Sequence, residues 1–286
     1  MEEEDGWLTE RVHSSGRPVR IVTKVDGPRF SEFWMGAVAQ TRSLPKSGNE
    51  GRIPRRRADT EVNARESAAR SAGPSSPGHY LVQPAFSTGK GVLVLHAWWD
   101  LDRFIKGLCD RLAAQGYLAL APDLYHGATA STIEGAKALR GRLKQATVRE
   151  EIAQAAEQLR SACGAGQGAL GVVGFSLGGY WALWLADQAP CPVAATVVFY
   201  GSRHGDYAGS RSAFQLHLAE SDDYVAASAV SKLQRALRAA GRVAEFHTYP
   251  GTGHWFFEHD RPDAYDAQAA GLAWGRTVEF LRKHVR

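Results

Sequence analysis

Cysteine is scarce: Cys109, Cys163 and Cys191 are the only three in 286 residues. They lie within apparently regular elements and supply no disulfide framework, so each reads as a small core residue and a cytoplasmic location is expected. Long apolar runs are missing as well, which excludes a bilayer-spanning helix. The N-terminus opens Met-Glu-Glu-Glu-Asp, the reverse of a signal peptide's basic start, with no apolar segment after it. Charge of one sign is not in excess: 34 basic against 30 acidic residues leave +4, which makes no electrostatic case for nucleic acid. No His/Cys/Asp cluster has zinc-like spacing, and no Gly-rich loop reads as a phosphate or dinucleotide site. No metal or cofactor is therefore expected, and the expected partner is a small molecule rather than a membrane or a nucleic acid.

What is present is enough apolar material for a packed globule, 44% of the residues. Residues 1–78 differ from the rest: they hold Arg55-Arg56-Arg57, many Ser, Gly and Glu, the segment Ser-Ala-Gly-Pro-Ser-Ser-Pro-Gly at 71–78, and little apolar periodicity beyond a patch at Phe30–Val38. This stretch reads as a mostly disordered N-terminal extension, followed by one domain over 79–286. From residue 79 onward short apolar runs alternate with helical periodicity. Strands are predicted at 79–83, 91–96, 117–121, 169–173, 194–200, 214–219 and 242–248. Helices are predicted between them, two with capping-box starts at Ser131/Glu134 and Thr147/Glu150, and a long one over 265–284. Such alternation predicts an α/β fold, a mostly parallel sheet with helices on both faces and ligands at the carboxyl ends of the strands. His96, Asp123, Ser176, Gly201, Asp222 and His254 all fall just after predicted strands.

The segment Gly174-Phe-Ser-Leu-Gly-Gly179 sits between the apolar run 169–173 and the helix-compatible run 180–186. Strand, sharp turn with Ser176 at its tip, then helix is the Gly-x-Ser-x-Gly nucleophile elbow of the α/β-hydrolase fold. A side chain on that tip is strained, and nothing bulky fits two residues to either side, which is the use of Gly174 and Gly178. The first-turn N–H groups of the following helix face any negative charge that develops beside Ser176.

A serine hydroxyl is a weak nucleophile until a base takes its proton, and the base needs a carboxylate to fix its tautomer. The order Ser, acid, His is present. His254 lies in the Gly-rich loop Tyr249–His254, ahead of Trp255-Phe256-Phe257. The acid is Glu220, Asp222 or Asp223, which the residues alone do not separate. The oxyanion donors are expected to be the backbone N–H groups of Leu177 and of Trp98 in the loop after the 91–96 strand. His96, Trp99, Tyr125 and Trp255 are expected to line the substrate pocket, and Asp123 to hold a turn.

Over residue 79 to the C-terminus the sequence resembles the dienelactone hydrolase family. The resemblance rests on Val92-Leu-Val-Leu-His-Ala-Trp-Trp99, Ala121-Pro-Asp-Leu-Tyr125, Gly174–Gly179, Tyr249-Pro-Gly-Thr-Gly-His-Trp-Phe-Phe257 and the tail Arg261–Asp266 with Ala273-Trp274. The stretch His217–Val225 resembles the family's acid loop, and that match singles out Asp222. The best-known members differ in three respects: Ser176 stands for a nucleophilic cysteine, Ala97 for a glutamate, and the substrate-carboxylate-binding arginine usual shortly after the histidine is not evident, Glu258 standing in that vicinity. The resemblance implies a hydrolase of carboxylic esters or lactones, working through an acyl-enzyme on Ser176 with His254 and Asp222. The alternatives are a peptidase or thioesterase with the same triad, or a hydrolase-like binding protein without activity.

Overall fold

A computed structural model of the chain describes residues 7–14 and 17–24 as backbone, and residues 78–86, 88–164, 168–188 and 192–286. By its contacts the chain divides into two units, one of residues 1–25 with 71–286 and one of residues 26–70; the latter lies outside the described residues.

Two strands fall within the stretch whose composition reads as an extension. β1 (Trp7–Ser14) pairs antiparallel with β2 (Arg17–Lys24), and β2 runs parallel to a late strand through Val22–Lys24. Bulk composition hid a local signal, the β-branched run Ile21-Val22-Thr23. The Phe30–Val38 patch, Arg55–Arg57 and Cys191 lie outside the described residues.

From residue 79 the predicted alternation is present. The strands are β3 (His79–Val82), β4 (Gly91–Leu95), β5 (Leu118–Pro122), β6 (Leu170–Phe175), β7 (Val193–Phe199), β8 (Ala213–Ala219) and β9 (Ala244–Tyr249). The helices are α1 (Arg103–Ala114), α2 (Ile133–Arg142), α3 (Gln145–Ala162), α4 (Leu177–Gln188), α5 (Ala227–Ala239) and α6 (Ala267–His284). The sheet order is β1-β2-β9-β8-β7-β6-β4-β5-β3. All pairs from β5 through β4 to β9 are parallel, and only β3 on β5 and β1 on β2 are antiparallel.

Central strands are apolar on both sides because both sides are covered. Val92 and Val94 of β4 enter one core with α1 and α6, whereas Leu93 and Leu95 enter the other with α3, α4 and α5. Strand β6 divides in the same way, Val173 and Phe175 to one face and Leu170 and Val172 to the other. This two-residue alternation clamps β4 and β6, adjacent and in register from Val92↔Gly171 to Leu95↔Gly174, at the centre of the sheet.

Both predicted capping boxes are shifted. The α2 cap is Thr132, whose hydroxyl accepts from Gly135 N at 3.1 Å, because the chain is already extended there. Helix α3 begins at Gln145 after Lys144 with no side-chain cap, so Thr147 lies inside its first turn. Among the described residues no helix is long and apolar enough to cross a membrane.

Candidate active site

Strand β6 leads into the elbow with Ser176 at φ 50°, the left-handed conformation that costs a side chain energy and lifts it off the sheet edge. The turn is held from both sides: Ser176 N–H donates to Phe199 O at 3.0 Å and Ser176 O accepts from Tyr180 N at 3.1 Å. Glycine at 174 and 178 is obligatory by contact. A Cβ on Gly174 would strike Gly178 O, and one on Gly178 would strike the carbonyl oxygen of Leu95. The first turn of α4 thus lies directly on the end of β4, which brings the Leu177 N–H and the 97–99 loop to one place. Among the described residues neither the Leu177 nor the Trp98 N–H joins a turn, loop or cap hydrogen bond.

The loops after β8 and β9 carry the other two groups. Ser221 N–H donates to Thr252 O at 3.1 Å, the Thr252 hydroxyl donates to Tyr249 O at 2.8 Å, and Glu220 accepts from Gly251 N at 2.9 Å. So tied, they place His254 Nε2 2.9 Å from Ser176 Oγ and His254 Nδ1 2.8 Å from Asp222 Oδ2. Asp222 Oδ1 also accepts from the N–H groups of Tyr224 and Val225, each at 2.9 Å, which aims the carboxylate. This pattern is consistent with the proton on His254 Nδ1 and a free lone pair on Nε2 facing the serine. The three acids left open by the sequence are now distinct in place: Asp222 meets the histidine, Glu220 holds the neighbouring loop, and Asp223 is exposed. Aromatic rings surround the imidazole, with Tyr200 at 4.7 Å, Tyr224 at 4.9 Å and Trp255 at 5.1 Å between centroids.

A cleft of about 670 Å³ opens beside His254. Trp99 and Trp255 border it, together with Tyr224, Ile133 and Arg261. His96 and Tyr125 are not among its lining residues. His96 is fully buried; its Nδ1 is 2.6 Å from Ala97 O and its Nε2 accepts from Leu124 N at 3.1 Å. Burial lowers its pKa, and as a neutral ring with both nitrogens engaged it braces the β4 loop against the β5 loop. Tyr125 is buried behind it, ring to ring at 5.1 Å. Asp123 holds the turn, accepting from Tyr125 N at 2.9 Å and Gly127 N at 2.6 Å. Among the described residues, no group of three or more His, Cys, Asp or Glu side chains is disposed to hold a metal ion.

Sequence reasoning missed a second group behind the imidazole. Glu258, buried and 2.7 Å from the Tyr200 hydroxyl, has its pKa pushed up to about 8. Burial is the main cause; the Tyr200 hydrogen bond opposes it, and Asp102 and Asp260 add to it. Arg261 Nε is 3.9 Å away, outside hydrogen-bond range, and the guanidinium lies 3.9 Å over the Trp99 ring. The lone signal for this group was a glutamate in an otherwise aromatic run.

A mostly parallel sheet with helices on both faces and a serine on a left-handed turn between its central strand and helix defines an α/β-hydrolase. Residues 78–285 match the model of the dienelactone hydrolase family, and the chain belongs to that family of hydrolases. It is 30% identical over 215 residues to the protein usf of Aquifex pyrophilus, covering 72% of this chain and 93% of the relative. It is 29% identical, with the same coverage, to a candidate carboxymethylenebutenolidase of Aquifex aeolicus. The crystal structure of a candidate dienelactone hydrolase from Klebsiella pneumoniae superposes with a TM-score of 0.64 at 26% identity, over 72% of this chain and 92% of that one.

Proposed function

We propose that the chain is a serine hydrolase of carboxylic esters or lactones. The observation that carries this reading is the continuous hydrogen-bonded chain Ser176 Oγ–His254 Nε2–Asp222 built on the strained turn. Ser176 Oγ attacks the substrate carbonyl as its proton passes to His254 Nε2. Asp222, accepting from Nδ1–H, stabilises the imidazolium so formed. The oxyanion points to the N–H groups of Leu177 and Trp98. His254 then gives its proton to the departing alkoxide, which leaves an acyl group on Ser176. A water molecule surrenders a proton to Nε2 as it attacks the acyl carbon; the tetrahedral adduct then collapses, His254 returns that proton to the departing Ser176 Oγ, and the product acid leaves and ionises in water. With Ala97 where the best-known members carry glutamate, activation of the nucleophile falls to His254 alone.

Hydrolysis of p-nitrophenyl acetate by wild type and Ser176→Ala tests this directly. The variant is expected to lose roughly four powers of ten in turnover and all labelling by a fluorophosphonate probe. Equal activity in the two proteins would remove Ser176 from the mechanism.

A further inference from the structure

The cleft beside His254 has a charge as well as a shape. Four carboxylates line it, Glu220, Asp223, Asp260 and Asp263, all exposed, against the single guanidinium of Arg261. That guanidinium is spread over the Trp99 ring at 3.9 Å. The walls next to the imidazole are aromatic: Trp255 and Tyr224 are 4.9 Å apart between centroids, and Trp98 backs both, at 6.3 Å from Trp255 and 5.4 Å from Tyr224. Tyr224 is 43% exposed, so its ring is open to a ligand in the cleft.

Aromatic faces attract cations through the ring quadrupole, and a cleft lined by one sign of charge concentrates the opposite sign. Trp99 already uses its face in this way, on a cation of the chain's own. An incoming carboxylate meets the reverse: four like charges and one opposite charge already engaged by an indole. We propose that this cleft selects esters bearing an ammonium group, ahead of neutral ones, and turns away carboxylate-bearing esters and lactones. The inference rests on the serine-hydrolase reading above and adds to it a substrate class.

The experiment uses matched esters that carry trimethylammonio, tert-butyl or carboxylate groups at the same distance from the carbonyl, on the acyl side in one series and the alcohol side in another. At low salt kcat/KM is expected to fall in that order in at least one series, by about tenfold or more between the extremes. Added salt should shrink the ratio, and the double variant Asp260→Asn/Asp263→Asn should shrink it without salt. An ammonium-to-carboxylate ratio at or below one in both series overturns the substrate class. If the neutral esters are nonetheless hydrolysed, the serine-hydrolase reading survives that result. If no ester turns over and Ser176 takes no fluorophosphonate, both fall together.

Discussion

Glu258 keeps its proton well above the ordinary carboxyl value near 4.5, chiefly because burial disfavours the charged form; the Tyr200 hydroxyl and Arg261 act the other way without offsetting it. The consequence for stability has a definite sign. Between about 4.5 and about 8 the folded chain holds a proton that the unfolded chain has released, so stability declines as pH rises through that window. Glu258→Gln keeps an acceptor for Tyr200 and has no proton to lose. It is expected to be more stable than wild type above pH 8, by on the order of a few kcal/mol and with a correspondingly higher melting temperature, and to lose less between pH 5 and pH 9. Parallel melting curves with equal declines in both proteins would contradict the protonated state. At this scale Ser176 and His254 were legible because each sits in a short motif whose glycines have few other uses. The bracing role of His96 was not legible, because its partner Leu124 N lies 28 residues away and leaves no mark on the local sequence. Burial of Glu258 against Tyr200 is a contact across 58 residues and was invisible for the same reason.

Elements lock to one another through polar groups as well as apolar ones. His217, fully buried on β8, has Nδ1 2.7 Å from the Tyr249 hydroxyl at the end of β9. Its Nε2 is 3.0 Å from Gln215 Oε1 and 3.1 Å from the Thr277 hydroxyl of α6. The ring also stacks on Phe199 of β7 at 4.5 Å. One imidazole therefore fastens three strands and a helix. His217→Phe retains the stacking and strands the three polar partners, and is expected to cost about 2–4 kcal/mol in denaturant unfolding. A loss within 0.5 kcal/mol, the size of an ordinary surface change, would show that the network contributes nothing net. Burial holds the His217 pKa well below its ordinary 6.5, with His247 and Arg276 acting in the same direction. Stability tied to this ring is present above pH 6.5 and drains away as pH falls below it, the opposite sense to Glu258. Sequence periodicity located β8, β9 and α6 to within a few residues, since each is an apolar run with clear ends. Their mutual fastening was not legible, because His217 reads as an ordinary strand residue until its neighbours are known. The cap of α3 failed for a related reason: a Thr-x-x-Glu pattern within the first turn of a helix looks like its start.

Among the described residues, the seven strands β3 to β9, the six helices and all the proposed catalytic groups lie between residues 79 and 286. Residues 78–285 are also the span of the family match. A chain beginning at residue 78 is expected to fold and to hydrolyse p-nitrophenyl acetate within about twofold of the full chain; a collapse of turnover or of the cooperative melt would give the N-terminal residues a part in the site. Global architecture was readable because alternation of buried strands and amphipathic helices admits few topologies. The cleft was not, since its charge comes from loops whose side chains meet only after folding. Gly178 now bears on how such a protein can diversify. It seats α4 against the Leu95 carbonyl, main chain on main chain. The Leu177 and Trp98 amides are thereby set by backbone alone, and no exchange of their side chains other than to proline removes them. Trp255, Tyr224 and the acids of the rim are ordinary side chains on exposed loops. Under the proposed mechanism, substrate preference can drift by single substitutions there, while the proposed oxyanion donors are passed on unchanged by any descendant that keeps its glycines.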